Sequence, residues 1–192
     1  MLGPLGRRHV LAAAVAAAIA SGAGIVAAHP ASAQPAPPAP ISVARLQGTF
    51  LLAGRVTVAV NVRGERRGQI VQRTWSFTSG CPVGQCTAVD LSRTRATGSD
   101  VLVLRRLGPG RYAGASSFYS PLRCAGRLYP QGQKIPFTIT IRITQASLVG
   151  AVAIATRINA TYRNSKRINL TPCVGVLGHD SARYHGQLTP LP

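Results

Sequence analysis

The densest cluster of reactive side chains in this 192-residue chain runs Gly178-His179-Asp180-Ser181-Ala182-Arg183-Tyr184-His185. His, Asp and Ser are the residue types with which a hydrolase activates a serine through an imidazole base. Residues this close along a chain rarely reach one another in that geometry, and the GxSxG pattern that presents a nucleophile is missing. The segment therefore reads as a turn entering a final strand. A secreted hydrolase using His179, Asp180 and His185 is kept as an alternative. A two-carboxylate glycosidase would have to draw on Glu65, Asp90, Asp100 and Asp180, the chain's four acids. These read as turn formers or partners for arginines, so a non-enzymatic protein is expected.

Four cysteines, Cys81, Cys86, Cys124 and Cys173, are an even set in a chain that carries an export signal, and disulfides are the default outside the cytosol. Cys81-Pro82-Val83-Gly84-Gln85-Cys86 is a short Pro- and Gly-containing loop that closes easily on itself, which leaves Cys124 for Cys173. In the chain-entropy account the second, longer loop stabilises more, on the order of 4 kcal/mol. The clamped 81–86 loop also permits a protease-inhibitor-like protein that presents it to a partner. No metal is expected: CxxxxC is not the usual two-residue ligand spacing, and beyond the leader only His179 and His185 could complete a zinc cluster. Nor is a cofactor expected. The P-loop pattern is absent, and Gly108, Gly110 and Ala113, which fit the loose dinucleotide fingerprint, precede no helix.

Charge is the main functional signal. The chain has 22 basic and 4 acidic residues, a formal +18, and the basic side is arginine apart from Lys134 and Lys166. Such a surface attracts polyanions. Two groups are denser than the rest: Arg63, Arg66 and Arg67 in a turn, and Arg163, Lys166 and Arg167. With few aromatics and no RNA-recognition motif, sequence-specific nucleic-acid binding is not expected.

The elements that must position these residues are strands. Phe137, Ile139, Ile141 and Ile143 alternate with Thr138, Thr140, Arg142 and Thr144, a period of two that marks a half-buried strand. Val152, Ile154 and Ile158 continue the pattern in the next run. Opposed residues share a face, so the parities require an even-numbered loop; Ala146 and Ser147 supply it if Ile141 stands opposite Val152. Phe50, Leu52, Val56, Val58, Val60 and Val62 form a long first strand, with a bend or bulge expected at Gly54. Further strands are read at 69–78, 86–93, 100–107, 110–120 and 182–188, separated by Gly-, Pro- and Asp-containing turns. Gly110-Arg111-Tyr112-Ala113-Gly114 echoes Ala182-Arg183-Tyr184-His185-Gly186; in each, Tyr should face in and Gly should mark a tight approach. The fold class is all-β, an antiparallel meander closing into an eight- or nine-stranded barrel, because closure removes exposed edges; a two-sheet β-sandwich is the alternative.

Upstream of these strands, Arg7 and Arg8, the uncharged run Val10 to Ala28 and Ala31-Ser32-Ala33 make residues 1–33 a signal peptide. Arg7-Arg8-His9-Val10-Leu11 also resembles a twin-arginine motif, and the Sec and twin-arginine routes both stay open. Residues 34–44, which include QPAPPAP, read as a Pro/Ala-rich linker; 45–192 is a single domain. The expected product is secreted, extracellular and monomeric, with no membrane span once the signal is removed.

Gly48-Thr49-Phe50, opening the first strand of an exported meander, resembles the Gly-x-Trp start of the calycin and lipocalin-like barrels, with Phe50 in place of the Trp. That resemblance implies a barrel holding a small apolar ligand. The leader, Trp75-x-Phe77, the CPVGQC loop and the distant third and fourth cysteines resemble uncharacterised secreted proteins of actinobacterial type, a likeness that carries no activity. The function expected is binding: an apolar small molecule in the barrel or an anionic cell-surface polymer on its basic face. Phe50, Trp75, Phe77, Tyr112, Phe118 and Ile141 are candidate lining residues, together with Val58 and Ile154. Arg73 shares the parity of Val71, Trp75 and Phe77 and is expected at the barrel mouth, over Trp75 or beside an acid. The polyanion would meet Arg63, Arg66, Arg67, Arg163, Lys166 and Arg167.

Overall fold

A computed structural model describes residues 37–95, 98–175 and 177–190. The expected signal peptide, 1–33, and the start of the expected Pro/Ala-rich linker lie outside the described residues. Nine strands follow a single 3-10 turn at Ile41–Val43: β1 (Gly48–Val60), β2 (Ile70–Thr78), β3 (Ala88–Arg95), β4 (Gly98–Gly108), β5 (Arg111–Cys124), β6 (Arg127–Val149), β7 (Val152–Asn164), β8 (Ile168–Asn169) and β9 (His179–Leu188). Each of β1 to β6 pairs antiparallel with the next, β7 pairs with β9, and β9 returns to β1. The result is a closed eight-stranded antiparallel barrel plus β8, so the sandwich alternative does not apply.

β8 occupies the lane that β7 vacates. Gln133 and Lys134 face Ser120 and Tyr119 of β5 on one side and Asn169 and Ile168 on the other. Asn164, fully buried, bridges the break: its Nδ2 donates to the carbonyls of Pro136 at 2.6 Å and Lys166 at 3.3 Å.

One end of the barrel is filled and strapped. Phe50, Leu104, Tyr112, Ile139 and Ile143 are each at most 1% exposed there, and Phe50 meets Phe77 edge to face at 5.4 Å. The β6–β7 hairpin extends beyond the pairing of β6 with β5 and of β7 with β9. The segment before β1 bonds along both of its free edges. Leu148 donates to Pro37 O at 3.0 Å, Ala39 to Ala146 O at 2.9 Å and Arg45 to Ala153 O at 2.8 Å. Ala44 and Leu46 become fully buried. The described part of the expected linker is thus a strap across the barrel end.

Three local expectations change. The β6–β7 turn is Gly150-Ala151, with Gly150 at φ +59°, and Ile141 faces Ala160 rather than Val152. The turn is two residues long and pairs still join odd with even positions, as the parities required, except Gln145 with Arg157 at the register shift, but the hairpin continues further than a turn at 146–147 allows. Register shifts between Ile143 and Ala146 then turn Ala153 and Ala155 inward, leaving Val152 and Ile154 on the other side. The β1 bulge lies between Val56 and Val58, not at Gly54, and it places Ala59 rather than Val58 against the core. Gly54 is instead a close approach, because a Cβ there would stand 2.3 Å from Cδ1 of Tyr184. In the two Tyr-containing echoes Tyr112 and Tyr184 are buried as read, and a Cβ on Gly114 or Gly186 would meet Val103 O at 2.5 Å or Ile158 Cγ1 at 2.8 Å.

Both disulfides form as expected. Cys81–Cys86 clamps the loop at the strapped end, while Cys124–Cys173 ties the end of β5 to the segment before β9. Among the described residues no helix is long and apolar enough to cross a membrane.

Candidate binding site at the open end of the barrel

The opposite end carries the polar chemistry, and strand alternation puts it there. On β3, Val89 and Leu91 face the core, so Arg93 and Arg95 share their side. The β3–β4 register sets Arg93 directly opposite Asp100. Arg93 donates from Nε to Oδ1 at 2.7 Å and from Nη2 to Oδ2 at 2.6 Å, and Arg95 Nε reaches Oδ2 at 2.9 Å. Forked, charge-assisted bonds of this kind compensate the loss of water around a guanidinium that is only 5% exposed.

Aromatic rings complete the compensation. The Arg93 guanidinium carbon lies 4.0 Å from the Phe137 centroid and 5.7 Å from that of Tyr162, and Arg95 lies 4.1 Å over Phe118. Phe118, Phe137 and Tyr162 follow one another at 5.8 and 5.6 Å. Each cation meets the electron-rich face of a ring. Across the barrel Trp75 packs on Tyr184 at 5.4 Å, in the space Gly54 leaves. Burial pushes the phenols of Tyr162 and Tyr184 above the ordinary tyrosine range, so both remain neutral donors.

A second ion pair closes the other side. Asp180 is inward on β9 and 6% exposed, and it accepts from Arg167 Nη2 at 2.8 Å. The β1–β2 loop, turned by Gly64 at φ +80° and Gly68 at φ +87°, brings Glu65 over the mouth. Burial first, and then the Asp180 charge, raise the Glu65 carboxyl above its usual range, against the opposing pull of Arg167 and Arg73. Arg73 lies between buried Val71 and Trp75 on the inward side of β2, yet it is exposed. Its Nη1 donates to the Gln72 carbonyl at 2.8 Å instead of lying over Trp75. The residues bordering the mouth include Arg63, Arg73, Arg93, Arg95, Arg157 and Arg167 with the carboxylates Glu65 and Asp180, and Asp100 behind them holds Arg93 and Arg95. Asp100 serves two cations and Asp180 one, and Arg73 is left facing water.

A cavity of about 1220 Å³ is bordered by these residues. It is lined from both sides of the wall: inside by Leu52, Val56, Trp75, Phe118, Ile135, Tyr162 and Tyr184, and outside by Leu51, Gln72, Thr74, Arg157 and Gln187. The enclosed part is therefore smaller than the whole, and it is confined to the open half.

Of the residues read as ligand-lining, Trp75, Phe118 and Arg73 border the cavity. Phe50, Phe77, Tyr112 and Ile141 do not; they are core side chains at most 2% exposed. The two basic groups meet at the open end, where Arg63 and Arg167 border the mouth, Arg66 and Arg67 are exposed on the β1–β2 loop, and Arg163 and Lys166 are exposed at the end of β7. Arg167 is committed to Asp180, which removes it from any surface patch. The hydrolase set does not assemble: Asp180 points inward, while His179 and His185 occupy the opposite-facing positions of β9 and His185 Nδ1 pairs with Asn159 Oδ1 at 2.8 Å. The 81–86 loop is bonded down, with Gln85 Nε2 donating to Ile41 O at 2.6 Å and Gly110 N to Gln85 Oε1 at 3.2 Å. Among the described residues no three His, Cys, Asp or Glu side chains gather as a metal site.

Sequence reasoning passed over Arg93, Arg95 and Asp100 as mouth residues, although the signal was present. Both arginines share parity with Val89 and Leu91, and Asp180 shares parity with Tyr184. Compared with known proteins, the chain matches no family model and no curated sequence.

Proposed function

We propose that this chain is an exported, non-enzymatic binding barrel whose open end takes a small amphipathic anion. The apolar body of the ligand would lie against Phe118, Leu52 and the edges of Trp75 and Tyr184, and its charge would meet Arg73. The observation that carries this reading is Arg73: an inward-facing cation, bordered by rings, exposed to solvent, and in none of the ion pairs among the described residues. The filled half argues against a purely apolar ligand running the length of the barrel, because Phe50, Phe77, Tyr112 and Ile141 already occupy it. Export is read from the leader and fits a fold with two disulfides.

The test is titration with 8-anilinonaphthalene-1-sulfonate, an aromatic sulfonate, monitored through the single tryptophan, Trp75. Saturable quenching that weakens roughly tenfold in Arg73→Gln, the loss of about 1.4 kcal/mol from one charge-assisted contact, supports the reading. Absence of saturable binding, or equal affinity in the variant, refutes it.

A further inference from the structure

The outer wall made by β5, β6, β7, β9 and β1 presents arginines without carboxylates. Arg111, Arg142, Arg157, Arg163, Arg183 and Arg55 all face outward and are exposed. The only acid in these five strands is Asp180, which points inward. Register sharpens the observation: Arg55 stands directly opposite Arg183, and Arg111 directly opposite Arg142. Like charges in directly opposed positions destabilise a sheet, and among the described residues none of the six joins an ion pair. Solubility alone does not call for cations to be matched pairwise across strands.

We infer that this wall is a docking surface for a flexible phosphodiester polymer without bases. The reading is independent of the ligand in the barrel mouth. Arg111 and Arg142, and Arg55 and Arg183, are one strand apart, about 5 Å, while Arg142 to Arg157 and Arg163 to Arg183 are diagonal steps of one strand and two residues, about 7 to 8 Å. Arg157 stands one strand and four residues from Arg183, a longer step that a bending chain of phosphates can still span around a convex wall. The cations are all arginine, whose planar fork suits oxyanions. A planar carboxylate is filled by one fork, whereas a tetrahedral phosphate offers its free oxygens to forks approaching from either side, as from Arg55 and Arg183. Between the arginines, the facing positions hold Ala53, Thr140, Asn159, Thr161, Ser181, His185 and Gln187. No Trp, Tyr or Phe is among them for base stacking, and Leu51, exposed opposite Gln187, is a single apolar side chain rather than a patch that inserts into a bilayer.

The experiment measures fluorescence anisotropy of labelled poly(glycerol phosphate) on the mature protein over a series of salt concentrations. R55Q/R183Q should bind roughly tenfold more weakly at about 0.1 M salt, with the slope of log K against log salt shallower by about 1.4 for two lost contacts. R66Q/R67Q removes the same charge from the loop and should stay within about twofold of wild type if these contacts add nothing specific. Without polymer, R55Q/R183Q should melt no lower than wild type, since a like-charge pair is relieved; if it melts lower, R111Q/R142Q replaces it as the deciding variant. Equal loss in the wall and loop variants, no binding, or tighter binding to polygalacturonate, polyuridylate or anionic vesicles would overturn the inference.

Discussion

Replacing Asp100 by Asn tests how the open end is held together. The carboxylate receives two hydrogen bonds from Arg93 at 2.6 and 2.7 Å and forms an ion pair with Arg95 at 2.9 Å, with side-chain exposures of 6%, 22% and 13% for Arg93, Arg95 and Asp100. Removing one partner of a buried pair leaves the other charge uncompensated, a loss of about 3 kcal/mol. For a domain of this size that corresponds to a fall in Tm of roughly 6 to 12 °C. Urea unfolding followed by Trp75 fluorescence reads it directly, since Trp75 is 2% exposed in the fold. Adding Arg93→Met removes the more buried of the two stranded cations and should recover about half of the loss; the remainder reflects Arg95, still without its carboxylate, and the lost contact with Phe137, worth about 1 to 2 kcal/mol. A single variant within about 1 kcal/mol of wild type, or a double variant less stable than the single, would refute the reasoning.

Two further outcomes follow from the same structure. Glu65→Gln should raise Tm at pH 7: the folded carboxyl holds its proton more tightly than the unfolded one, chiefly through burial, so its ionisation costs stability once pH exceeds the folded pKa. The gain should vanish below the ordinary value of 4.5, where both states are protonated, and a lower Tm at pH 7 would contradict it. Opening Cys124–Cys173, which spans a separation of 49, with two serines should cost about 4 kcal/mol, against about 2 kcal/mol for Cys81–Cys86 with its separation of 5, as measured by denaturant midpoints.

Alternation made the barrel legible. Val89 and Leu91, Phe137 to Ile143, and the Tyr112 and Tyr184 echoes all face as their parity requires, because one side of every strand must be buried. The cysteine pairing followed from loop closure alone. Register was harder to read where bulges intervene. The shifts near Thr57 and Gln145 reverse which residues face inward, and nothing local in Val56-Thr57-Val58 announces one. The strap was hidden for a different reason: Pro37 to Leu46 has no strand periodicity, and its order comes from free hairpin edges supplied by residues about a hundred positions away. At the candidate site, Arg73 was legible by parity. Arg93 and Arg95 were passed over because an arginine is usually taken as a surface residue, and only the facing Asp100 and Phe137 make burial tolerable.

The central claim is that one end of the barrel is open for binding and the other is sealed. Amide chemical-shift mapping of the mature protein with 8-anilinonaphthalene-1-sulfonate tests it most directly. Shifts concentrated in the 61–69 loop and around Arg73, Arg95 and Phe118, with the strap and the 81–86 loop unmoved, are the predicted result. Shifts concentrated at the strap and the 81–86 loop, or none at saturating probe, would contradict it.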